Sequence, residues 1–421
     1  MELHFLGGAR EVGRSAVMAE SDGLRLLLDC GVKTGRQNQF PLMEKAKRPH
    51  AVALTHAHLD HSGYIPALFR HQALPVVCTF PTIPLVDLLL EDTMKLAREN
   101  RQRAYFSRAD MRKMQRHAVA VPYEQDYAFY NGDRLRLYDA GHILGSAQAL
   151  FQTRSGSVLY TGDFNKVKTV MHEPAKVPKE KVDVLVTEST YGNEDHPDRG
   201  ELVKRFCREV KEALDNRMAV LVPCFAVGRT QEMLQVLYEN KLSDRLYLDG
   251  MGRLTSEVAL GFPSYMRDAK TYSAALSKAR LVTDAIGRKS AARAGNIIVT
   301  TAGMMEGGPV LNYLERFVKT GTKAKVFLTG YQVPGTNGRR LLEEGKVYSN
   351  GRTLEFRGEV SFYDFSAHSG RKELIWHAKD VNPGRVLCMH GDADKIGGFV
   401  SALREEGFDA YAPELGERIT V

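Results

Sequence analysis

The stretch Thr55-His56-Ala57-His58-Leu59-Asp60-His61-Ser62 places four side chains able to bind a metal ion within six consecutive positions. Imidazole nitrogen and carboxylate oxygen together suit zinc, a borderline ion that takes such ligands at about 2.0–2.2 Å. An apolar core would not hold these groups unpartnered, because each buried polar group without a partner costs about 1–3 kcal/mol. The stretch lies between an apolar run, Ala51-Val52-Ala53-Leu54, and an amphipathic one from Gly63 to Arg70. That pattern reads as a buried strand, a tight loop and a helix. Alternation on an extended segment would send His56, His58 and Asp60 to one side, with His61 turning back from the helix. The bland alternative is a solvated loop rich in His by chance, and the clustering of ligand types argues against it.

The same placement recurs further along. Arg134–Tyr138 reads as a strand that ends in Asp139-Ala140-Gly141-His142, and Ser157–Thr161 as one that ends in Gly162-Asp163-Phe164. Taken singly, a satisfied histidine or a turn aspartate explains each; beside the His loop, both become candidate ligands. Asp183–Thr187 ends in Glu188-Ser189, and Arg385–Met389 in His390-Gly391. Asp29 closes the apolar run Leu24–Leu28 just before Gly31, where a carboxylate often caps a turn.

These strand ends must be positioned by larger elements. With 421 residues the chain has room for two to three domains. Up to about residue 190 short strands dominate. After Asn193 strands alternate with longer helices: Met218–Phe225 then a helix from Thr230, Arg245–Leu248, Asn296–Thr300 and Ala324–Leu328. This is the rhythm of a parallel α/β sheet. Its strands end in glycine-rich loops, Phe225–Thr230, Gly303–Gly308 and Gly330–Thr336, the ends where open α/β sheets gather ligands. After about residue 345 the strand-heavy style returns, so the α/β block reads as an insert. A helix is expected near Ile83–Arg103 and another near Arg108–His117.

Composition bounds the function. Apolar residues are 43% and charged residues 26%, ordinary for a globular protein. The net charge of +7 favours a polyanionic partner. Between Lys95 and Arg116 eight Lys/Arg face two acids, 8 − 2 = +6, with Tyr105 and Phe106 interleaved. The solvated face of two helices and a nucleic-acid track explain that stretch equally. Five scattered cysteines argue against a disulfide framework or a thiolate zinc site. No apolar run approaches about 20 residues and no signal core opens the chain, so a cytoplasmic location is expected. The phosphate loop of nucleotide-driven motors, GxxxxGK followed by Ser or Thr, is absent.

The sequence resembles the β-CASP branch of the metallo-β-lactamase nucleases. Within it, the chain is similar to archaeal and bacterial homologues of the cleavage and polyadenylation specificity factor endonuclease, here expected without KH domains. Thr55–Ser62, Gly141–Ser146 and Thr161–Phe164 carry the lactamase resemblance. Thr187–Gly192, Pro223–Gln231, Thr301–Pro309, Gly330–Gly338, Ser366–Gly370 and Met389–Asp392 carry that of the branch.

The resemblance implies an α/β fold: an αββα metallo-β-lactamase sandwich over 1–190 and 345–421, with a β-CASP domain inserted at 191–344. It implies two zinc ions per chain, one bound by His56, His58 and His142, the other by Asp60, His61 and His390, with Asp163 bridging. Asp29 matches an acid that orients the ligand loop. Glu188 and His368 match the branch's acidic and proton-donating motifs, and with Asp60 they form the expected catalytic group. The expected reaction is hydrolysis of single-stranded RNA, through water activated between two metals. The partner is RNA gripped by its phosphates, with Arg229 and Arg339 as either phosphate contacts or packing ion pairs. No membrane is expected, and a homodimer is left open. The resemblance also leaves open a 5′→3′ exonuclease of the RNase J type. A small-molecule thioesterase or lactonase would explain the His loop but not the insert, and a silent RNA-binding subunit would not fill all seven ligand positions.

Overall fold

A computed structural model of the chain describes residues 1 to 421 apart from 36 and 100. The chain divides into two units. The first comprises Met1–Lys168, Glu173–Asp195 and His368–Val421, the second Thr169–His172 and His196–Ala367.

The first unit follows from alternating apolar side chains on short strands. One sheet has seven strands in the order Arg418–Thr420, Glu2–Gly7, Ala16–Ser21, Leu24–Leu28, Ala51–Ala53, Val76–Cys78 and Ala118–Ala120. The other runs Ala410–Tyr411, Arg385–Met389, Val184–Glu188, Gly156–Tyr160, Ala147–Thr153, Arg134–Asp139 and Asp126–Ala128. Phe5, Val17, Leu26 and Leu28 of the first share one core with Leu137, Phe151, Val158 and Val186 of the second. A one-residue slip of Leu24–Leu28 would turn Leu24, Leu26 and Leu28 out of that core and Arg25 into it. Each leucine contributes about 1.5–3 kcal/mol on burial, so the register is fixed, and with it the position of Asp29. The far face of the second sheet, through Leu150, Leu159, Leu185 and Cys388, lies under the helices Arg371–Val381 and Ala393–Glu405.

The second unit carries six parallel strands in the order Arg280–Leu281, Leu246–Asp249, Ile297–Thr300, Ala219–Pro223, Ala324–Leu328 and Glu359–Phe362. The run Ala219–Pro223 is apolar throughout because both of its faces are covered. Val220 and Val222 meet Phe206, Val210 and Leu234 on one side; Ala219 and Leu221 meet Tyr313, Leu314 and Phe317 on the other.

The return from the insert lies later than residue 345. Lys346–Ser349 pairs antiparallel with Arg352–Glu355, and Glu359–Phe362 extends the parallel sheet beside Ala324–Leu328. The second unit therefore ends at Ala367. Alternation identifies these segments as strands but does not say which sheet they join. The expected helix at 83–103 spans Thr82–Glu99, and position 100 of that expectation lies outside the described residues. The next helix, Arg108–Arg116, starts at a capping box in which Ser107 and Asp110 satisfy each other's backbone N–H groups. No helix among the described residues is long and apolar enough to cross a membrane.

Candidate metal centre

In the first unit Leu24–Leu28 and Ala51–Ala53 are parallel neighbours, as are Gly156–Tyr160, Val184–Glu188 and Arg385–Met389. Their C-terminal ends carry Asp29, His56, Asp163, Glu188 and His390, and His142 follows Arg134–Asp139. Asp60 and His61 occupy a one-turn helix, Leu59–Ser62, whose N-cap is His58. Asp60 is thus presented by a helical turn rather than by the extended segment the alternation implied. Gly31 makes this turn possible: a Cβ there would stand 1.7 Å from the Asp60 carbonyl oxygen. Beside it, Ser15 N–H donates to the Asp60 carbonyl and Cys30 N–H to that of His61, both at 2.8 Å.

Among the described residues, three groups of ligand-type side chains have their coordinating atoms within 4.8 Å of one another: His56, His58, His142 and Asp163; Asp60, His61, Asp163 and His390; and Asp163, Glu188 and His368. Asp163 belongs to all three. Its Oδ2 lies 3.5 Å from His56 Nε2 and 3.8 Å from His142 Nε2. Its Oδ1 lies 3.2 Å from His61 Nε2 and 3.1 Å from His390 Nδ1. Asp60 Oδ2 lies 3.5 Å from His390 Nε2. All nine candidate ligands and catalytic residues therefore fall in one place.

Two observations test whether these residues fit a metal. His56 Nε2, His61 Nε2, His390 Nε2 and Asp163 Oδ1 are buried without a hydrogen-bond partner, although the histidines are almost solvent-free. Leaving four such atoms unmatched would be costly unless a cation meets them. The ring nitrogens His142 Nε2 and His58 Nδ1 lie 3.2 Å apart, where two lone pairs repel unless a proton or a cation is shared. The donor set of nitrogen and carboxylate oxygen, with no thiolate, fits a divalent ion of zinc type. The residues fit.

The orienting groups lie directly behind. Asp29, with φ of 59°, accepts from Thr55 N–H and Thr55 Oγ1 at 2.8 Å each and faces His61 Nδ1 at 2.7 Å. Thr55 Oγ1 also lies 3.1 Å from His56 Nδ1. With its proton on Asp29, Thr55 accepts from His56 Nδ1–H. Both rings thereby turn Nε2 towards Asp163, the way buried partners fix the tautomer of a metal ligand. His390 has φ of 50°, a left-handed conformation rare outside glycine, and its N–H donates to the Gly8 carbonyl at 2.7 Å. Sequence reasoning gave no role to Thr55 or to Thr190, whose Oγ1 donates to the His390 carbonyl at 3.2 Å. Their positions beside candidate ligands were the available signal.

Charge within the cluster follows from burial and proximity. Burial opposes charge on His56 and, with the neighbouring His61, holds its pKa well below the ordinary value; burial lowers that of His58 too. For His61 burial is outweighed by Asp163 and Asp29, which hold it well above the ordinary value. His390 is likewise raised to about 10, chiefly by Asp163 against the opposing effect of burial. Burial would raise Asp163, but His61 and His390 hold it well below the carboxylate range.

His368 Nδ1 lies 3.0 Å from both oxygens of Glu188, which also accepts the Phe164 N–H at 2.9 Å. Burial opposes its charge, yet Glu188 and Asp163 raise its pKa above the ordinary value. Of the two arginines named from the sequence, Arg229 is buried and ion-paired with Glu232, and Arg339 pairs with Glu343 at 2.6 Å. The first is a buried packing contact, the second a surface pair along one helix.

Residues 18–189 match a metallo-β-lactamase superfamily domain, residues 230–341 the Beta-Casp domain, and residues 353–413 a Zn-dependent metallo-hydrolase RNA specificity domain. Over 430 residues the sequence is 36% identical to "Probable RNase MJ4" of Methanocaldococcus jannaschii, covering 100% of both chains. The chain belongs to the β-CASP metallo-β-lactamase ribonucleases. This β-CASP chain is also 33% identical over 427 residues to "RNase aCSPSF2" of Saccharolobus solfataricus, covering 100% of itself and 85% of that relative. It is 32% identical over 437 residues to "Transcription termination factor FttA" of Methanocaldococcus jannaschii, with 96% and 69% covered. A crystal structure of "a Protein of Unknown Function from Enterococcus faecalis V583" aligns with a TM-score of 0.64 at 14% identity, over 100% of this chain and 99% of that one, a likeness of fold. The cluster and the matched domains together make the β-CASP chain a metal-dependent hydrolase.

Proposed function

We propose that the chain is a zinc-dependent ribonuclease that hydrolyses phosphodiester bonds of single-stranded RNA in RNA processing or decay, principally as an endonuclease. The observation that carries this reading is Asp163, whose two carboxylate oxygens each face a different pair of imidazoles. Two zinc ions, one on His56, His58 and His142, the other on Asp60, His61 and His390, with Asp163 common to both, would supply a water acidic enough to attack phosphorus near pH 7.

The remaining steps belong to the chain's own side chains. Attack by water leaves a 5′-phosphate and expels the 3′ oxygen, a poor leaving group at neutral pH unless it receives a proton. His368 is suited to give it. Glu188 grips Nδ1, which orients the ring, and the carboxylates of Glu188 and Asp163 favour the protonated form. A positioned acid of this kind contributes about 10²–10⁴-fold. Glu188 is itself fixed by the Phe164 N–H, so it serves as a positioning residue. The ribonuclease names of the relatives, the description of the matched RNA specificity domain and the net charge of +7 support RNA as the substrate.

End-labelled, unstructured RNAs bearing 5′-hydroxyl, monophosphate or triphosphate ends should be cut internally to products with 5′-phosphates, and a chelator should stop the reaction. Release of mononucleotides from monophosphorylated ends alone would reassign the chain as a 5′→3′ exonuclease. The double variant Asp60→Ala, His61→Ala should bind RNA without cutting it. Undiminished cleavage by that variant would remove the two-metal reading.

A further inference from the structure

The second unit contains a cavity of about 540 Å³ whose wall includes Arg217, Lys289, Arg293, Arg316 and Lys323 and not one carboxylate. None of the five cations has an ion-pair partner among the described residues. The cavity sits where three adjacent parallel strands begin, before Ala219–Pro223, Ile297–Thr300 and Ala324–Leu328. The glycine-rich loops of the β-CASP motifs lie at the opposite ends of those strands. No residue of the candidate metal centre lines it.

Two ordinary explanations fall short. Surface lysines and arginines usually face solvent singly, or pair with acids, as Arg339 does with Glu343. Here three separate stretches of chain bring like charges to one concavity, which costs self-repulsion and focuses positive potential. Cations also favour helix C-termini, and the helices Arg199–Asp215, Ala285–Ala291 and Pro309–Thr320 end nearby. Three such ends carry about −0.5 charge each, roughly −1.5 in all, against five full positive charges. An excess of about three charges is left for a ligand.

No aromatic side chain lines the cavity, and its polar lining is cationic, hydroxylic or amide. Recognition there runs through phosphates, independent of sequence. We propose that this cavity is a second RNA contact, an exosite that holds backbone phosphates of the strand away from the bond being cut. The proposal rests on the reading of the chain as a ribonuclease and adds a place where affinity, rather than chemistry, is supplied.

The test combines Arg217→Gln, Arg293→Gln and Lys323→Gln in the full chain. These are surface side chains, so the thermal midpoint and metal content should stay as in the parent. Binding of a labelled 30-mer of uridine is measured across salt concentrations in the Asp60→Ala, His61→Ala background, where the RNA stays intact. Each lost phosphate contact should weaken binding about fivefold at 0.1 M salt and flatten the log–log salt slope by about 0.7. The triple variant should therefore lose about 100-fold, with a slope shallower by about 2. In the cleaving enzyme KM for the 30-mer should rise while kcat, and turnover of bis(4-nitrophenyl) phosphate, stay unchanged. An unaltered salt slope would overturn the exosite. So would tripolyphosphate bound in the cavity but not displaced by the 30-mer, which would reassign it to a free polyphosphate. Failure of the parent chain to cut RNA, with the binding loss still seen, would instead count against the ribonuclease reading alone.

Discussion

His61 Nδ1 and Asp29 Oδ2 stand 2.7 Å apart with both side chains shut off from solvent. The pair decides which ring nitrogen of His61 points at Asp163, because a carboxylate accepts only from a protonated Nδ1. Replacing Asp29 by Asn keeps the shape and the contact with Thr55 N–H, but puts an amide N–H at the Oδ2 position, where Thr55 Oγ1 and His61 Nδ1 both need an acceptor. Asp29→Asn should therefore weaken zinc binding about 10–100-fold, read by competition with a chromogenic chelator, with the chain still folded. Equal affinity in the variant would mean that Asp29 only closes the turn.

The same cluster makes metal loading a proton-releasing event. Before an ion enters, Asp163 keeps His61 and His390 protonated, the latter up to about pH 10. A cation needs those lone pairs, so binding at pH 7 must expel about two protons per chain. Apparent affinity should rise with pH through neutrality and fall on acidification. Titration calorimetry in buffers of different ionisation enthalpy reads this directly. Heats independent of the buffer would show that the imidazoles are already neutral.

Much of this centre was legible because several of its residues end apolar strands, and an apolar run followed by His, Asp or Glu is a local pattern. His56, Asp163, Glu188 and His390 are all of that kind. What stayed hidden depends on contacts across the chain. Asp60 reads as part of an extended run until Gly31, nearly thirty positions earlier, is seen to leave room for the helical turn. The strands Arg352–Glu355 and Glu359–Phe362 alternate like those of the first unit, yet their partners are Lys346–Ser349 and Ala324–Leu328. Arg229 sits in a glycine-rich loop motif that invites a phosphate, but its guanidinium is spent on Glu232.

His368 and Glu188 make a separable prediction. His368→Ala should lower turnover about 10²–10⁴-fold while zinc content is unchanged. An acid must be protonated to act, so wild-type activity should fall on the alkaline side. Because Glu188 and Asp163 raise the pKa of His368, that fall should lie above the ordinary histidine value. In Glu188→Gln the alkaline limb should move to lower pH. Loss of zinc from His368→Ala would make it a ligand instead.

His377 supplies a pH dependence away from the reaction. It sits in the helix Arg371–Val381 with its ring 4.4 Å from that of Phe164, and neither ring nitrogen has a hydrogen-bond partner among the described residues. Burial, with a smaller push from Lys166, lowers its pKa to about 3. In the unfolded chain it returns to about 6.5. Below 6.5 the unfolded state therefore binds the extra proton. The stability owed to a neutral His377 is complete above that pH and drains away towards pH 3, by about 1.4 kcal/mol per unit. His377→Leu keeps an apolar ring-sized filler and cannot take up a proton. The gap in unfolding free energy between wild type and variant should shift by roughly 2–3 kcal/mol between pH 6.5 and 4.5, in disfavour of the wild type. Urea unfolding followed at Trp376, the sequence's single tryptophan, measures it on the same helix. A gap that stays constant over this range would show that the folded chain already lets His377 charge, and that the wall between it and solvent is open.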